Sequence, residues 1–211
     1  MFNRRIFTRL AAGAAVFALW GWQIQALAVD EAPDALIKRV SSEVLDTIKS
    51  DKALAGDMTK IIALVDSKIM PSVNFQRMTA SAVGPAWRQA TPDQQKRLQD
   101  EFKTLLIRTY SGALSQVSDQ TLNFKPLRMA ADDKEVIVRS EIRGRSDPIQ
   151  LDYRLEKTAD NTWRIFNLNV MGIWLVDTYR TQFAQEINAG GVDGLIGALA
   201  ARNKSNAAKK V

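Results

Sequence analysis

TPDQQKRLQDEFKTLLIRTYSGALSQVS, residues 91–118, is the stretch around which the rest of the chain is organised. Thr91 is a good N-cap, Pro92 suits the first helical position, and Gln94 completes the spacing of a capping box. Apolar or small side chains then recur at intervals of three and four residues: Leu98, Phe102, Leu105, Leu106, Thr109, Ala113 and Val117. The pattern predicts one long amphipathic helix whose apolar face lies against another layer of the fold.

The residues after this helix alternate between apolar and polar types, which is typical of strands. Lys134–Arg143 and Pro148–Lys157 flank a short turn and form a hairpin. Its predicted register sets Ile142 opposite Ile149, Ser140 opposite Leu151, Val138 opposite Tyr153 and Val136 opposite Leu155, with Arg139 opposite Asp152 on the other face. A shift by one residue would place apolar side chains against charged ones, so we expect this register to be well specified.

Two more strands complete the predicted sheet, Leu122–Arg128 before the hairpin and Thr162–Val170 after it. The last strand carries two apolar sets that alternation places on opposite faces: Phe166, Leu168 and Val170 in one, Trp163 and Ile165 in the other. We expect the first set to face inward, because two asparagines share a face with Trp163.

Helical patterns flank the strands. Before the strands, residues 32–90 contain three predicted helices: Ala32–Lys49, Asp57–Ile69 and Val73–Ala82. After the strands, residues 173–203 contain the predicted helix Ile173–Asn188, a break at Gly190-Gly191 and a short helix capped by Asp193. This order predicts an α+β fold, in which amphipathic helices cover a curved antiparallel sheet of about four strands. We expect one domain over residues 29–203 and a disordered basic tail over 204–211.

The first 28 residues have the composition of an export signal. Arg4, Arg5 and Arg9 precede an apolar run over residues 10–19, and the small residues 26–28 form a cleavage site. The run is too short to span a bilayer. Residues 3–7 also resemble a twin-arginine signal, so either the Sec or the twin-arginine route fits. The sequence therefore predicts a periplasmic protein that starts near Val29.

Charge and composition narrow the function further. Loss of the three signal arginines lowers the net charge from +6 to +3, a mild surplus that suits transient contact with anionic membranes and does not argue for nucleic acid. The chain has no cysteine and no histidine. Disulfides, thiolate or imidazole metal ligands and Ser-His or Cys-His pairs are therefore excluded. The composition therefore favours a binding protein over an enzyme. We expect no catalytic residue, no metal and no cofactor.

Several segments taken together resemble one family. They are Phe75-Gln76-Arg77-Met78, residues 87–92 with Gln94-Gln95, residues 102–110, Leu151-Asp152-Tyr153-Arg154, Trp163-Arg164-Ile165, Gly172 with Val176, Tyr179-Arg180 with Phe183, and residues 191–195. In this order they are similar to the MlaC family, also called toluene-tolerance proteins, over nearly the whole chain after the signal. One departure is Trp174, where the family usually has a small residue, and we expect this indole to narrow a cavity.

The resemblance implies an NTF2-like architecture with additional helices and a periplasmic phospholipid carrier. Members hold the acyl chains of a phospholipid in an apolar pocket between sheet and helices. They carry it between an outer-membrane lipoprotein complex and an inner-membrane ABC transporter with an MCE-domain protein, which maintains outer-membrane lipid asymmetry. They perform no covalent chemistry. We expect a monomer with bound phospholipid as its ligand.

The inward faces assigned above supply candidates for the lining of such a pocket. They are Phe102, Leu106, Tyr110, Val138, Ile142, Leu151, Tyr153, Leu168, Val170, Trp174, Tyr179 and Phe183. Arg108 and Arg143 are candidates for contact with the head group. Periodicity alone fits a solid core as well as a lined cavity.

Two other functions fit the same fold. A periplasmic chaperone or lipoprotein carrier would hold peptide or protein-attached acyl chains in the pocket. A small NTF2-like enzyme would need a carboxylate on an inward face, and the predicted register puts none there on the two strands of the hairpin. The identity of the ligand separates these functions.

Overall fold

The computed structural model describes residues 31–51, 53–114, 120–144 and 147–208. The predicted signal peptide and residues 115–118 of the predicted long helix lie outside these ranges. The α-helices are α1 (Pro33–Ser50), α2 (Met58–Leu64), α3 (Phe75–Val83), α4 (Pro92–Leu114) and α5 (Leu175–Ala208). Short 3₁₀ turns at Leu54–Gly56, Met70–Ser72 and Gly84–Arg88 and a π-helical turn at Val65–Ile69 connect the first four helices.

The strands are β1 (Thr121–Phe124), β2 (Glu135–Arg143), β3 (Ile149–Lys157), β4 (Trp163–Val170) and β5 (Ile173–Trp174). They form one antiparallel sheet in sequence order. The α+β fold predicted from the sequence is confirmed.

The start of α4 has the predicted capping box. The backbone N–H of Thr91 donates to Gln94 Oε1 at 3.0 Å, and the backbone N–H of Gln94 donates to Thr91 Oγ1 at 3.2 Å. Two N–H groups that the first turn of a helix leaves unpaired are thereby satisfied, which fixes where α4 begins.

The predicted register of the central hairpin is confirmed. Ile142 pairs with Ile149, Val138 pairs with Tyr153, and Arg139 pairs with Asp152. The first strand is shorter than predicted and ends at Phe124, because Pro126 has no N–H to continue the ladder. The fifth strand was not predicted, since the sequence pattern starts a helix at residue 173.

A β-bulge in β4 brings residues of both apolar sets onto the same face of the sheet. Arg154 pairs with Asn167 and the next residue, Leu155, pairs with Ile165, so Phe166 has no partner on β3. The extra residue changes the phase of the alternation, and both sets except Phe166 therefore lie on one face. The prediction that Trp163 and Ile165 face away from the core is wrong: they are 5% and 6% exposed and belong to the core.

Helices cover this apolar face unevenly. Leu36, Ile37 and Val40 of α1 form one core cluster with the sheet residues Val136, Val138, Leu155, Trp163 and Ile165. A second cluster joins α3, α4 and α5 around Phe102. A third, which includes Ile48, Ile61 and Ile107, packs α1, α2 and α4 together.

The C-terminal helix runs further than predicted. Gly190 and Gly191 have non-helical dihedral angles, with a φ of +66° at Gly191, so the predicted break is present as a kink. Helix α5 continues beyond it to Ala208, and the predicted disorder from residue 204 is wrong up to that point. Asn203 explains the extension, because its Nδ2 donates to the carbonyl of Glu101 at 2.9 Å and to Glu101 Oε2 at 2.7 Å.

Candidate functional site

The candidate site is the part of the apolar sheet face that the described helices leave uncovered. Residues paired directly across antiparallel strands share a face, so the register divides this face into rows. We call one part the closed end: Val136, Leu155, Ile165 and Trp163. We call the other part the open end: Leu122, Ile142, Ile149, Leu151 and Val170. Leu155 in the closed end is fully buried, whereas Ile149 in the open end is 37% exposed.

Tyr153 marks the boundary between the two ends. It lies one row from each of them, paired with Val138 and Leu168. Desolvation raises the pKa of its phenol to about 12, against a lowering by Ser41 of α1 and Ser140 of β2. The phenol therefore lies beside both α1 and the sheet where the cover ends.

Helix α4 packs on α5, α3 and α2, and the cluster around its Phe102 also contacts Leu168 and Val170 of β4. The open-end residues Ile142, Ile149 and Leu151 belong to none of the core clusters of the described residues. Leu106 is half-buried and Tyr110 is exposed, on the turns that follow Phe102. Desolvation raises the pKa of Tyr110, and the neighbouring Tyr179 raises it further. Two apolar surfaces are therefore incompletely covered: one on α4 at Leu106 and Tyr110, and one on the sheet at the open end.

An aromatic cluster joins α4 to α5 next to this side. The ring of Phe102 makes edge-on contacts with Tyr179 and Phe183 at centroid distances of 5.0 and 5.1 Å. Phe75 of α3 lies 5.8 Å from the same ring. Such contacts hold the two long helices together through packed rings.

The predicted lining residues separate into two groups. Phe102, Val138, Tyr179 and Phe183 are buried in the core, with Phe102 fully inaccessible to water, so acyl chains reach them only if neighbouring elements move. The second group is half-buried or exposed and so keeps some accessible surface: Leu106, Tyr110, Ile142, Leu151, Tyr153, Leu168 and Val170. Their role as lining stays a prediction.

Trp174 lies on the opposite face of the sheet from Leu168 and Val170. It pairs with Asn169, whose side of the sheet is polar, and the guanidinium of Arg154 stacks 4.2 Å from its ring. The expectation that this indole narrows an apolar cavity is therefore not supported by its position. The neighbouring Ile173, which the sequence reasoning missed, pairs with Val170 on the apolar face.

The two candidate head-group arginines differ in position. Arg108 lies two residues after Leu106, a rotation of about 200° around the helix, which places it on the other side of α4. There it borders a slot of about 40 Å³ with Met58, Ile62 and Ile107. Arg143 lies beside the open end but donates to Glu141 Oε2 at 2.9 Å. Lys125 and Arg143 together lower the pKa of the Glu141 carboxyl. The side chain of Arg143 shares the other face of the sheet with Glu141, so neither arginine points at the open end, and both head-group roles stay predictions.

A larger cavity of about 390 Å³ lies beyond the closed end. Leu36 and Trp163 form part of its lining, and its rim is charged. Arg39 pairs with Glu31 at 2.8 Å and with Glu43 at 3.3 Å, and Lys68 pairs with Glu43 at 3.2 Å. Because these charges neutralise one another, the rim has no surplus of positive charge for a phosphate. Within the described ranges no cluster of acidic side chains could hold a metal ion.

Comparison with known proteins identifies the family. A model of the family described as MlaC protein matches residues 38–201, most of the chain. The chain belongs to the MlaC family. Members similar to it include the toluene tolerance protein ttg2D of Pseudomonas putida, 26% identical over 77% of this chain and 76% of that protein. The intermembrane phospholipid transport system binding protein MlaC of Haemophilus influenzae is 19% identical over 85% of this chain and 86% of that one.

A solved structure of a relative is closer in sequence. The phospholipid-binding protein from Ralstonia solanacearum, in complex with a phospholipid, is 47% identical. The similarity covers 82% of this chain and 98% of that one, with a TM-score of 0.80. No helix in the part of the MlaC-family chain described here has the length and apolarity needed to cross a membrane.

Proposed function

We propose that this protein is a periplasmic phospholipid carrier that holds acyl chains against the open end of the sheet. The observation that carries the proposal is the change in cover along one apolar face, from the fully buried Leu155 to the exposed Ile149. Soluble domains seldom leave contiguous apolar surface uncovered unless it binds something. The phospholipid bound to the Ralstonia solanacearum relative supports the choice of ligand.

The polarity of this face supports binding over catalysis. Among the described strand residues that the register places on it, from Leu122 to Ile173, none is an acid. The carboxylates Glu141, Asp152 and Glu156 lie on the other face. Proton-transfer chemistry inside the fold would need such a group beside the ligand.

The energetics of acyl chains constrain how the carrier works. Transfer of a buried methylene from water is worth about 0.8 kcal/mol. Two long chains would gain about 24 kcal/mol, which exceeds the range of about 18 to 21 kcal/mol where measured affinities saturate. Since the lipid leaves a bilayer or another protein's pocket and not water, the net difference is small. The carrier then loads and unloads with little bias, and its partners set the direction.

The partners follow from the family. We propose that the chain is exported by its N-terminal signal and works as a monomer. It would exchange phospholipid with an outer-membrane lipoprotein complex and with an inner-membrane ABC transporter that contains an MCE-domain protein. Phospholipid transport is named for the Haemophilus influenzae relative, which supports this placement.

Loading requires movement of α4 relative to α5. The rings of Phe102, Tyr179 and Phe183 interlock between these helices, so separating them would open the way from the open end towards the core. Because the chain has no cysteine, two introduced cysteines, one in each helix, give a single specific crosslink. We expect the crosslinked protein to stop exchanging lipid and the reduced protein to recover; unimpaired exchange while crosslinked would refute the movement.

The proposed function is tested by identifying what the protein holds. The mature protein is purified without detergent and extracted with organic solvent, and the extract is analysed by mass spectrometry. We expect a stoichiometric diacyl phospholipid. An extract without lipid, together with no uptake from labelled liposomes, would overturn the proposal. Peptide or protein-attached acyl chains in its place would favour a chaperone or lipoprotein carrier.

A further inference from the structure

A tight turn at the margin of the open end carries an unusual residue. Met171-Gly172 is the whole connection between β4 and β5, and both residues have positive φ, +54° and +86°. Two-residue turns of this type favour Asn-Gly or Asp-Gly, because most side chains are strained in the left-handed region. A methionine here is 69% exposed, so neither turn geometry nor burial in the core explains it.

Two isoleucines extend the apolar surface around this methionine. Ile173 is 57% exposed, and Ile149 is exposed on the adjoining strand. The N–H of Met171 donates to the carbonyl of Gln150 at 3.0 Å, which holds the turn beside β3. We call Ile149, Met171 and Ile173 the apolar tip. Of the six large apolar residues found exposed in the described ranges, three lie here.

The apolar tip is continuous with the candidate lipid site. Leu151 pairs with Val170, and Val170 pairs with Ile173, so one apolar row crosses the sheet from the open end to the tip. The half-buried Leu151 and Val170 lead to the exposed Ile173 without an intervening polar residue. An acyl chain that entered at the tip would meet apolar side chains along this row.

The backbone of the turn is suited to an apolar environment. The N–H of Met171 is satisfied by Gln150, and the N–H of Gly172 donates to Asn169 Oδ1 at 2.9 Å. Unpaired backbone groups are costly in the hydrocarbon region of a bilayer. Since both N–H groups of the turn already have partners inside the protein, the turn can leave water without exposing either of them.

We infer that the apolar tip inserts into the surface of a phospholipid bilayer and places the open end at the lipid. The inference rests on the proposed function, for which it supplies a contact with the membrane. A protruding turn with three apolar side chains fits a bilayer, which needs no complementary pocket. A specific protein interface buries about 800 Å² on each partner and centres on well-packed pockets, which this convex turn does not offer.

The test compares two matched double variants in vesicle binding. The tip variant is Met171→Asp with Ile173→Thr. Asp tolerates the left-handed region better than methionine does, and Thr suits a strand, so the fold is retained. The control variant is Met129→Asp with Ile62→Thr, which changes the same residue types at exposed positions outside the tip, 42% and 38% exposed. Circular dichroism and thermal unfolding check that both variants are folded.

Binding is measured by co-sedimentation of the full mature chain with vesicles of phosphatidylethanolamine and phosphatidylglycerol. We expect wild type and control to bind equally, and the tip variant to bind at least tenfold more weakly. Because the contact is apolar, we expect the difference to persist in high salt. Wild type that does not bind, or a tip variant that binds like the control, overturns the inference.

Solvent extraction of the same preparations separates the two proposals. If the wild-type extract contains phospholipid and the tip variant binds vesicles as well as the wild type does, the inference is overturned and the carrier function stays intact. An empty wild-type extract with no uptake from vesicles overturns the carrier function itself.

Discussion

The closed and open ends of the sheet face are made of the same residue types in the same alternation, yet only one is covered. At the closed end, α1 seals Val136, Leu155, Trp163 and Ile165 into a core. At the open end, Ile142 and Leu151 lie outside the core clusters of the described residues and stay half-buried. Alternation therefore determines which side of a strand is apolar. The helix that lies over it determines whether the result is a core or a binding surface.

The largest expected effect contrasts two leucines on one face of β3. Leu155→Ala removes a fully buried side chain and should lower the free energy of unfolding by about 3 to 4 kcal/mol, since it leaves a cavity. Leu151→Ala, four residues away, should lower it by about 1 kcal/mol, because this side chain is only half-buried. Urea unfolding measures both. Equal losses would remove the distinction between the two ends.

The boundary residue should make stability depend on pH. The phenol of Tyr153 has a pKa of about 12 in the folded protein and about 10 when unfolded. Between these values the unfolded chain gives up a proton that the folded chain keeps. Stability is therefore complete below about pH 10 and falls by about 2 to 3 kcal/mol as the pH approaches 12.

Urea unfolding at pH 9 and pH 11.5 measures this loss. Other titrating groups contribute a background, which Tyr153→Phe isolates because it keeps the ring and lacks the hydroxyl. The variant should lose less stability between the two pH values than the wild type. The same slope in both proteins would contradict a desolvated phenol at the boundary.

A charge placed in the open end should remove the ligand and spare the fold. Leu151→Glu puts a carboxylate on the apolar row, where acyl chains would have to desolvate it. We expect at least a tenfold fall in co-purified phospholipid, about 1.4 kcal/mol, with a cooperative unfolding transition retained. Thr121→Glu, at an exposed position on the other face opposite Arg143, is the control and should keep its lipid. Equal lipid in both variants would place the site elsewhere.

The smallest expected effect is that of Trp174. Since its ring stacks with Arg154 on the polar side of the sheet, Trp174→Ser should cost about 1 kcal/mol of stability and leave the amount of bound phospholipid unchanged. Mass spectrometry of solvent extracts compares the variant with wild type. A larger or longer-chain lipid in the variant would mean that the indole narrows the site after all.

The parts of the fold that depend on local alternation could be predicted from the sequence. The register of β2 and β3 is an example, because any slip would place charged residues against apolar ones. The kink at Gly190-Gly191 is another, since two consecutive glycines weaken a helix locally. The extension of α5 could not be foreseen, because it depends on the contact of Asn203 with Glu101, distant in sequence.

The candidate site was harder to predict for the same reason. The facing of Trp174 follows from a two-residue strand, which is too short to have a periodicity. The burial of Val138 depends on which helix covers its row of the sheet. The burial of Phe102 depends on how α3 and α5 pack around α4. A signal for the apolar tip was present in the sequence, as methionine and isoleucine flanking a glycine. Met171 lay outside every predicted element, however, and helical periodicity assigned Ile173 to a helix.

The bulge in β4 has a consequence for how this strand tolerates changes in length. If Phe166 is removed, the sequence becomes Trp-Arg-Ile-Asn-Leu-Asn-Val, an uninterrupted alternation that leaves every other residue on its present face. Phe166 is itself buried, 8% exposed, and the guanidinium of Arg77 stacks 3.7 Å from its ring, so the shortened strand would keep its pairing and lose this contact. The length of β4 is therefore set by what Phe166 packs against and not by the pairing of the sheet.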